Sequence, residues 1–261
     1  MHVPIEYKEQ EVSDIIYGIN PVTEILKIRE SRIKKILLAK EKEAKGLKTL
    51  LNLARKGKVP VEYKEKRLLD QISGVKHHQG ILAIVSAYRE TDLDEIIESW
   101  QNSGEKLLAL ILDGIQDPQN LGALIRTACA CGVHGVITLR DRASPITGAV
   151  FKASAGAAEH MNIARAGNLS VVIERLKERG AWIAGTDARS KKSLYDIDGT
   201  LDLAIVIGSE GKGIRPLVKK KCDFLVHIPL RGEISSLNAS AAGAIALYEI
   251  TRQRYHQGKK S

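Results

Sequence analysis

Leu107-Leu108-Ala109-Leu110-Ile111-Leu112 is an unbroken apolar run, followed by Asp113-Gly114-Ile115-Gln116-Asp117-Pro118-Gln119 and then by Asn120-Leu121-Gly122-Ala123-Leu124-Ile125-Arg126. An apolar run of this length without alternation predicts a strand buried on both faces. Gly114 and Pro118 predict a turn after it, and the spacing beyond predicts a helix over 121–131. The same pattern recurs downstream. Strands are predicted over 135–139, 182–186, 203–207 and 224–228, and helices over 147–158, 168–179 and 237–254. Apolar strands joined by helices predict an α/β class with a parallel sheet covered by helices on both faces.

Working back from residue 106, the first part of the chain also alternates. A helix is predicted over 21–28, with Pro21 in its first turn, then a strand over 33–39 and a helix over 46–55. A strand over 59–63, a helix over 66–73 and a strand over 81–87 complete a compact α/β domain of about 80 residues, a size that folds alone. Between the two parts, 91–105 carries five acidic and no basic side chains and reads as an acidic linker. Leu93, Ile96 and Ile97 have helical spacing, so it is able to dock. The expected organisation is 1–90, 91–105 and 106–261, with a polar tail from His256 to Ser261.

The 261 residues and 44% hydrophobic content suit a soluble globular protein. No apolar run approaches the ~20 residues of a membrane span. Met1 to Asp14 mixes charges with few apolar residues, unlike a secretory signal. Cys129, Cys131 and Cys222 are odd in number and lack C-x-x-C spacing, which suggests reduced thiols and a cytoplasmic protein. His77 and His78 have no adjacent acid or cysteine, a poor basis for a metal site. The net charge is +9. Residues 1–90 hold 18 basic and 12 acidic side chains (+6), and 106–261 hold 22 and 14 (+8). Two basic units favour a polyanionic partner.

Three blocks sit where a strand gives way to a turn or helix: 120–126, Gly208-Ser209-Glu210-Gly211-Lys212-Gly213-Ile214, and Ile228-Pro229-Leu230 with Ser236-Leu237-Asn238. In open parallel sheets, ligands bind beyond the carboxyl ends of the strands. The glycines of the second block let the backbone turn and approach a ligand. It does not fit G-x-G-x-x-G, nor a P-loop, since Ile214 follows Gly213. Asn120 and Arg126 also read as a helix cap and a solvated arginine. Ser235 or Ser236 similarly reads as the cap of the last helix, whose small residues at 239–244 permit close packing.

Together the blocks resemble the three motifs of the SpoU (TrmH) family of RNA ribose 2′-O-methyltransferases, N-x-G-x-x-x-R, G-x-E-x-x-G and I-P-[ML]-x-G-x-x-x-S-L-N-[VA]-S. Ala239 stands where valine is usual. The resemblance covers about Leu107 to Glu249 and includes Lys152-Ala153-Ser154-Ala155-Gly156-Ala157. Residues 15–87 are similar to the family's substrate-binding domain, through Tyr17-Gly18-Ile19-Asn20-Pro21-Val22 and His78-Gln79-Gly80-Ile81. The resemblance implies an L30e-like RNA-binding domain, a SPOUT-type catalytic domain with a C-terminal trefoil knot, and a homodimer whose site uses both subunits. It implies S-adenosylmethionine as methyl donor, held around Gly208, Ile228 and Leu237 with Leu230 and Thr186, and no metal. It also implies Arg126 as the residue acting on the ribose hydroxyl, oriented by Asn120, with Glu210, Ser236 and Asn238 organising hydroxyl and donor. An arginine that stays charged suits stabilisation of a developing alkoxide better than proton abstraction.

Within the family, the two-domain layout resembles the members that methylate a guanosine of 23S ribosomal RNA. A transfer-RNA methyltransferase of the same family, a non-catalytic RNA-binding or ribosome-assembly factor, and a nucleotide-dependent oxidoreductase remain as alternatives. The intact polar residues weigh against the second and the absent fingerprint against the third.

Overall fold

A computed structural model describes residues 13–40 and 46–257; most of the amino-terminal stretch 1–14 and the end of the polar tail lie outside them. The chain divides into two units, Met1–Arg89 and Glu90–Ser261.

In the first unit, β1 (Ser13–Tyr17), α1 (Ile19–Ile28), β2 (Ile33–Ala39), α2 (Leu47–Lys56), β3 (Val61–Lys64), α3 (Lys66–Ser73) and β4 (Ile81–Ser86) follow in order. The sheet order is β1-β4-β2-β3. The β4 strand runs antiparallel to both neighbours, and β2 parallel to β3. Pro21 lies in the first turn of α1, whose Val22, Ile25 and Leu26 face the core. The Tyr17–Ile19 and His78–Gly80 stretches meet at one end of this sheet. The Gly18 N–H donates to the Ile81 carbonyl (3.2 Å), and the Ile19 N–H to Gln79 Oε1 (3.1 Å). His78 is wholly buried. Its Nδ1 accepts from the Gly80 N–H (2.9 Å) and its Nε2 lies 2.8 Å from Asp70 Oδ1. Both ring nitrogens therefore serve the turn.

The second unit holds α4 (Leu93–Ser103), β5 (Leu108–Asp113), α5 (Pro118–Ala130), β6 (Gly135–Leu139), α6 (Gly148–Ala153), β7 (Ile163–Ala166), α7 (Leu169–Glu178), β8 (Trp182–Thr186), β9 (Leu203–Gly208), α8 (Pro216–Lys221), β10 (Phe224–Val226) and α9 (Ala239–Gln257). Its six strands lie in the order β10-β8-β9-β5-β6-β7 and are all parallel. Every residue of β5, β6 and β9 is buried, as expected for strands covered on both faces. Among the described residues no helix is long and apolar enough to cross a membrane.

The stretch 91–105 is corrected from a linker to part of the second unit. Asp92 and Glu95 form a reciprocal capping box at the start of α4, the arrangement that satisfies free N–H groups at a helix start. Ile96, Ile97 and Trp100 then enter the core beneath the parallel sheet. The fit is close: a methyl group on Gly135 would stand 2.5 Å from Ile96. The acidic residues that suggested a solvated connector occupy the outer face of an amphipathic helix. The helix predicted over 147–158 is also shorter. Ala155 (φ 53°) and Gly156 (φ 92°) take left-handed backbone and separate α6 from a 3-10 turn at Ala157–His160.

Candidate active site

The carboxyl ends of β5, β8 and β9 bring the polar groups together, and the local capping decides which of them are available. Asp117, not Asn120, caps α5: it accepts from the Gln119 N–H (3.0 Å), with Pro118 in the first helical position. Asn120 is freed from capping and only 9% exposed. At the other helix, Asn238 caps α9, its Oδ1 accepting from the Ser240 N–H (2.8 Å) and the Ala241 N–H (3.4 Å). Ser235 and Ser236 are therefore not needed as caps.

Asn120, Glu210 and Asn238 form one hydrogen-bonded cluster. Asn120 Nδ2 donates to Glu210 Oε1. Asn238 Nδ2 donates to Asn120 Oδ1 (3.1 Å) and to Glu210 Oε1 (3.2 Å). Both amides donate to one carboxylate oxygen, which fixes the Glu210 side chain and leaves its Oε2 without a bond to any described residue. Charge-assisted bonds of this kind are the stronger sort.

Arg126 stands apart. Six residues at about 100° each place it about 120° around α5 from Asn120, and its side chain is exposed. Within this chain Asn120 bonds to Glu210 and Asn238 and not to Arg126.

Beside the cluster lies a cavity of about 590 Å³, within the size range of small-molecule sites. Gly208, Ile228, Leu237, Leu230 and Thr186 all line it, as do Glu210 and Ser236; Asn120 and Arg126 do not. One wall is the loop 208–214, which folds back on itself through the Gly213 N–H to Ser209 O bond (2.8 Å), with Gly211 and Gly213 at φ 76° and 64°. A Cβ on Gly208 would fall 2.1 Å from the Gly213 carbonyl carbon and 2.2 Å from the Ile214 nitrogen. Only glycine permits this return. Behind the site, Gly243 lets α9 press on α5, since a Cβ there would meet Leu124 at 2.2 Å.

We expect Gly208→Ala to destabilise the protein by about 1–3 kcal/mol, the usual cost of forcing atoms into a filled space. Gly167→Ala, where nothing lies within 4 Å, should change stability by no more than about 0.5 kcal/mol. Urea unfolding midpoints measure both, and equal midpoints would contradict the close approach at Gly208.

Two ion pairs at the same sheet edge had no place in the sequence reading. Asp113, fully buried, accepts from Arg215 Nε (2.7 Å) and the Arg215 N–H (2.8 Å), tying the β5 end to the start of α8. Asp187 pairs with Lys219 at 2.7 Å on the cavity wall. That hydrogen bond, helped by the Arg189 amide, holds the Asp187 carboxyl below the usual carboxylate range. The available signal was positional: each acid directly follows or ends a buried strand.

None of the three cysteines forms a disulfide with a described residue, and all are partly buried; burial pushes the Cys222 thiol up to about 12. Among the described residues no group of three or more histidines, cysteines or acids is placed to hold a metal ion.

Comparison with known proteins bears on this arrangement. Residues 107–248 match the SpoU rRNA Methylase family, and residues 15–91 match the RNA 2′-O ribose methyltransferase substrate binding family. A Bacillus subtilis (strain 168) protein assigned to the TrmH family of tRNA/rRNA methyltransferases, YacO, is 41% identical over 247 residues, 94% of this chain and 98% of its own. The Pseudomonas putida 23S rRNA (guanosine-2′-O-)-methyltransferase RlmB is 40% identical over 243 residues, 92% of this chain and 96% of its own. The crystal structure of the SpoU methyltransferase AviRb from Streptomyces viridochromogenes, in complex with the cofactor AdoMet, superposes with a TM-score of 0.77 at 25% identity. That match covers 94% of this chain and 91% of AviRb.

Proposed function

From the premise that the chain belongs to the SpoU family of RNA methyltransferases, we propose that it methylates the ribose 2′-oxygen of a guanosine in 23S ribosomal RNA, using S-adenosylmethionine. The observation that carries this reading is the convergence of three distant loops on one cavity, with the Asn120–Glu210–Asn238 cluster beside it. The cavity suits the donor. Ile228, Leu230 and Leu237 offer apolar surface to a purine, and Gly208 and Thr186 offer close backbone approach. Asp187 and Lys219 present both charges to an amino-acid end.

The bound donor supplies a methyl group already activated on sulfonium, so the leaving group needs no metal. The chain's own task is alignment, proton handling and exclusion of water. Glu210 Oε2, unbonded and held in place by two amides, accepts the hydrogen bond of the ribose hydroxyl. Ser236, exposed at the cavity, contacts the acceptor or the donor. Arg126 stabilises the developing alkoxide and the adjoining phosphate.

Because Arg126 faces away from its own cluster, it serves the site of the second subunit in a homodimer. Support for that dimer lies on α9, where Ile245, Tyr248 and Tyr255 are exposed within an arc of about 80°. We also read the loops around the cavity as the family's trefoil knot. In that reading the first unit, Met1–Arg89, binds the RNA, the second, Glu90–Ser261, carries out the transfer, and the protein works in the cytoplasm.

A transfer-RNA substrate is the second reading, since the name of the Bacillus subtilis relative covers both tRNA and rRNA. Mapping ribose methylation in RNA from cells lacking the protein separates the two. Loss of a single 2′-O-methylguanosine from 23S RNA is expected, and loss confined to transfer RNA would establish the alternative.

A further inference from the structure

A second cavity, of about 310 Å³, adjoins the first and shares Ser209, Glu210 and Lys212 with it. It is built by the loop 113–117 after β5 and by residues after β6. The Ser144 N–H donates to the Ile115 carbonyl (2.9 Å) and ties these two loops together. Asp113, Asp117, Arg142 and Arg215 also line it. Its carboxylates are engaged at one oxygen or more: Asp113 by Arg215, Asp117 by the Gln119 N–H, and Glu210 through Oε1 by two amides. Two of its cations are not. Neither Arg142 nor Lys212 forms an ion pair with any described residue, and Arg142 holds a left-handed backbone, φ 61°. Non-glycine residues rarely adopt that conformation without a reason in function or packing.

We infer that this second cavity receives the acceptor nucleotide, its phosphate held by Arg142 and Lys212 and its ribose set against the shared wall that Glu210 borders. The chemistry is complementary. Two uncommitted cations meet a phosphodiester, while the shared carboxylate stands between donor and acceptor compartments. A ribose there would face a methyl group held next door, without either ligand passing through the other's site. The inference rests on the function proposed above.

The test uses the full-length protein and Arg142→Gly, which removes the cation at a position whose backbone favours glycine. Arg142→Lys restores the charge. Donor affinity is measured by calorimetry, and KM and kcat with 23S RNA at several salt concentrations. Arg142→Gly should raise KM for RNA about tenfold, the loss of one charge-assisted bond. It should lower the slope of log affinity against log salt by about one, the mark of one lost phosphate contact. Donor affinity should stay within about twofold, and Arg142→Lys should recover most of the KM. Unchanged KM and salt slope in Arg142→Gly, with an active wild-type enzyme, would overturn the inference and leave the methyltransferase reading intact. Weakened donor binding with unchanged KM would overturn it too, by assigning the cavity to the donor. A wild-type protein that neither binds donor nor methylates RNA would instead remove the reading beneath it.

Discussion

Arg126→Ala is expected to lower methyl transfer by about 10²–10³-fold, the effect of removing one preorganised charge from a developing oxyanion. Arg126 is exposed and outside the core, so stability to urea should change by no more than about 0.5 kcal/mol, and donor affinity should be unchanged. Lysine should restore little, because it lacks the planar fork. The placement of Arg126 away from Asn120 and Glu210 adds a sharper expectation. Arg126→Ala and Glu210→Gln proteins, each inactive alone, should regain about a quarter of wild-type activity when mixed and re-associated, since random pairing gives half hybrids with one intact site each. No recovery on mixing, with hybrids verified by mass, would place both residues in the site of a single subunit.

The second large effect concerns where the chain is cut. A protein beginning at Glu90 keeps α4 and should fold, bind the donor and lose most of its RNA affinity and its activity on natural RNA. One beginning at Glu105 loses Ile96, Ile97 and Trp100 from the core. At about 1.5–3 kcal/mol for each buried apolar side chain, that loss is comparable with the whole stability of a domain, about 5–15 kcal/mol. It should give an unfolded or aggregating product. Circular dichroism and donor calorimetry on the two products decide the matter. A well-folded, donor-binding protein from Glu105 would mean that α4 is dispensable. Full RNA methylation by the protein from Glu90 would mean that residues 1–89 do not recognise the substrate.

The parallel sheet was legible because its central strands are buried on both faces and so appear as unbroken apolar runs. The limits of β6 and β8 coincide with the predicted ones. Two of the four edge strands, β1 and β7, were not legible, whereas β3 and β10 fall within or beside predicted strands. The strand β7 has four residues, with Arg165 among them, and β1 is a short segment whose pairing with β4 depends on residues some seventy positions away. The acidic face of α4 outweighed its three buried apolar residues in a reading based on charge.

The site itself was legible as three motifs but not as a geometry. Asn120 lies 90 residues from Glu210 and 118 from Asn238, and no local rule links them. The N-x-G-x-x-x-R pattern gives no sign that helical geometry separates Asn120 and Arg126 within one chain. Asp113 and Asp187 were visible as acids at strand ends, but their roles depend on Arg215 and Lys219, set by the docking of α8.

The most direct measurement is the chemical position of the transferred methyl group. The purified protein is incubated with methyl-labelled S-adenosylmethionine and 23S RNA in the presence of chelator, and the RNA is digested to nucleosides. Label is expected in 2′-O-methylguanosine alone. Label in a base-methylated nucleoside, or none at all from a protein that binds the donor, would contradict ribose methylation by this chain.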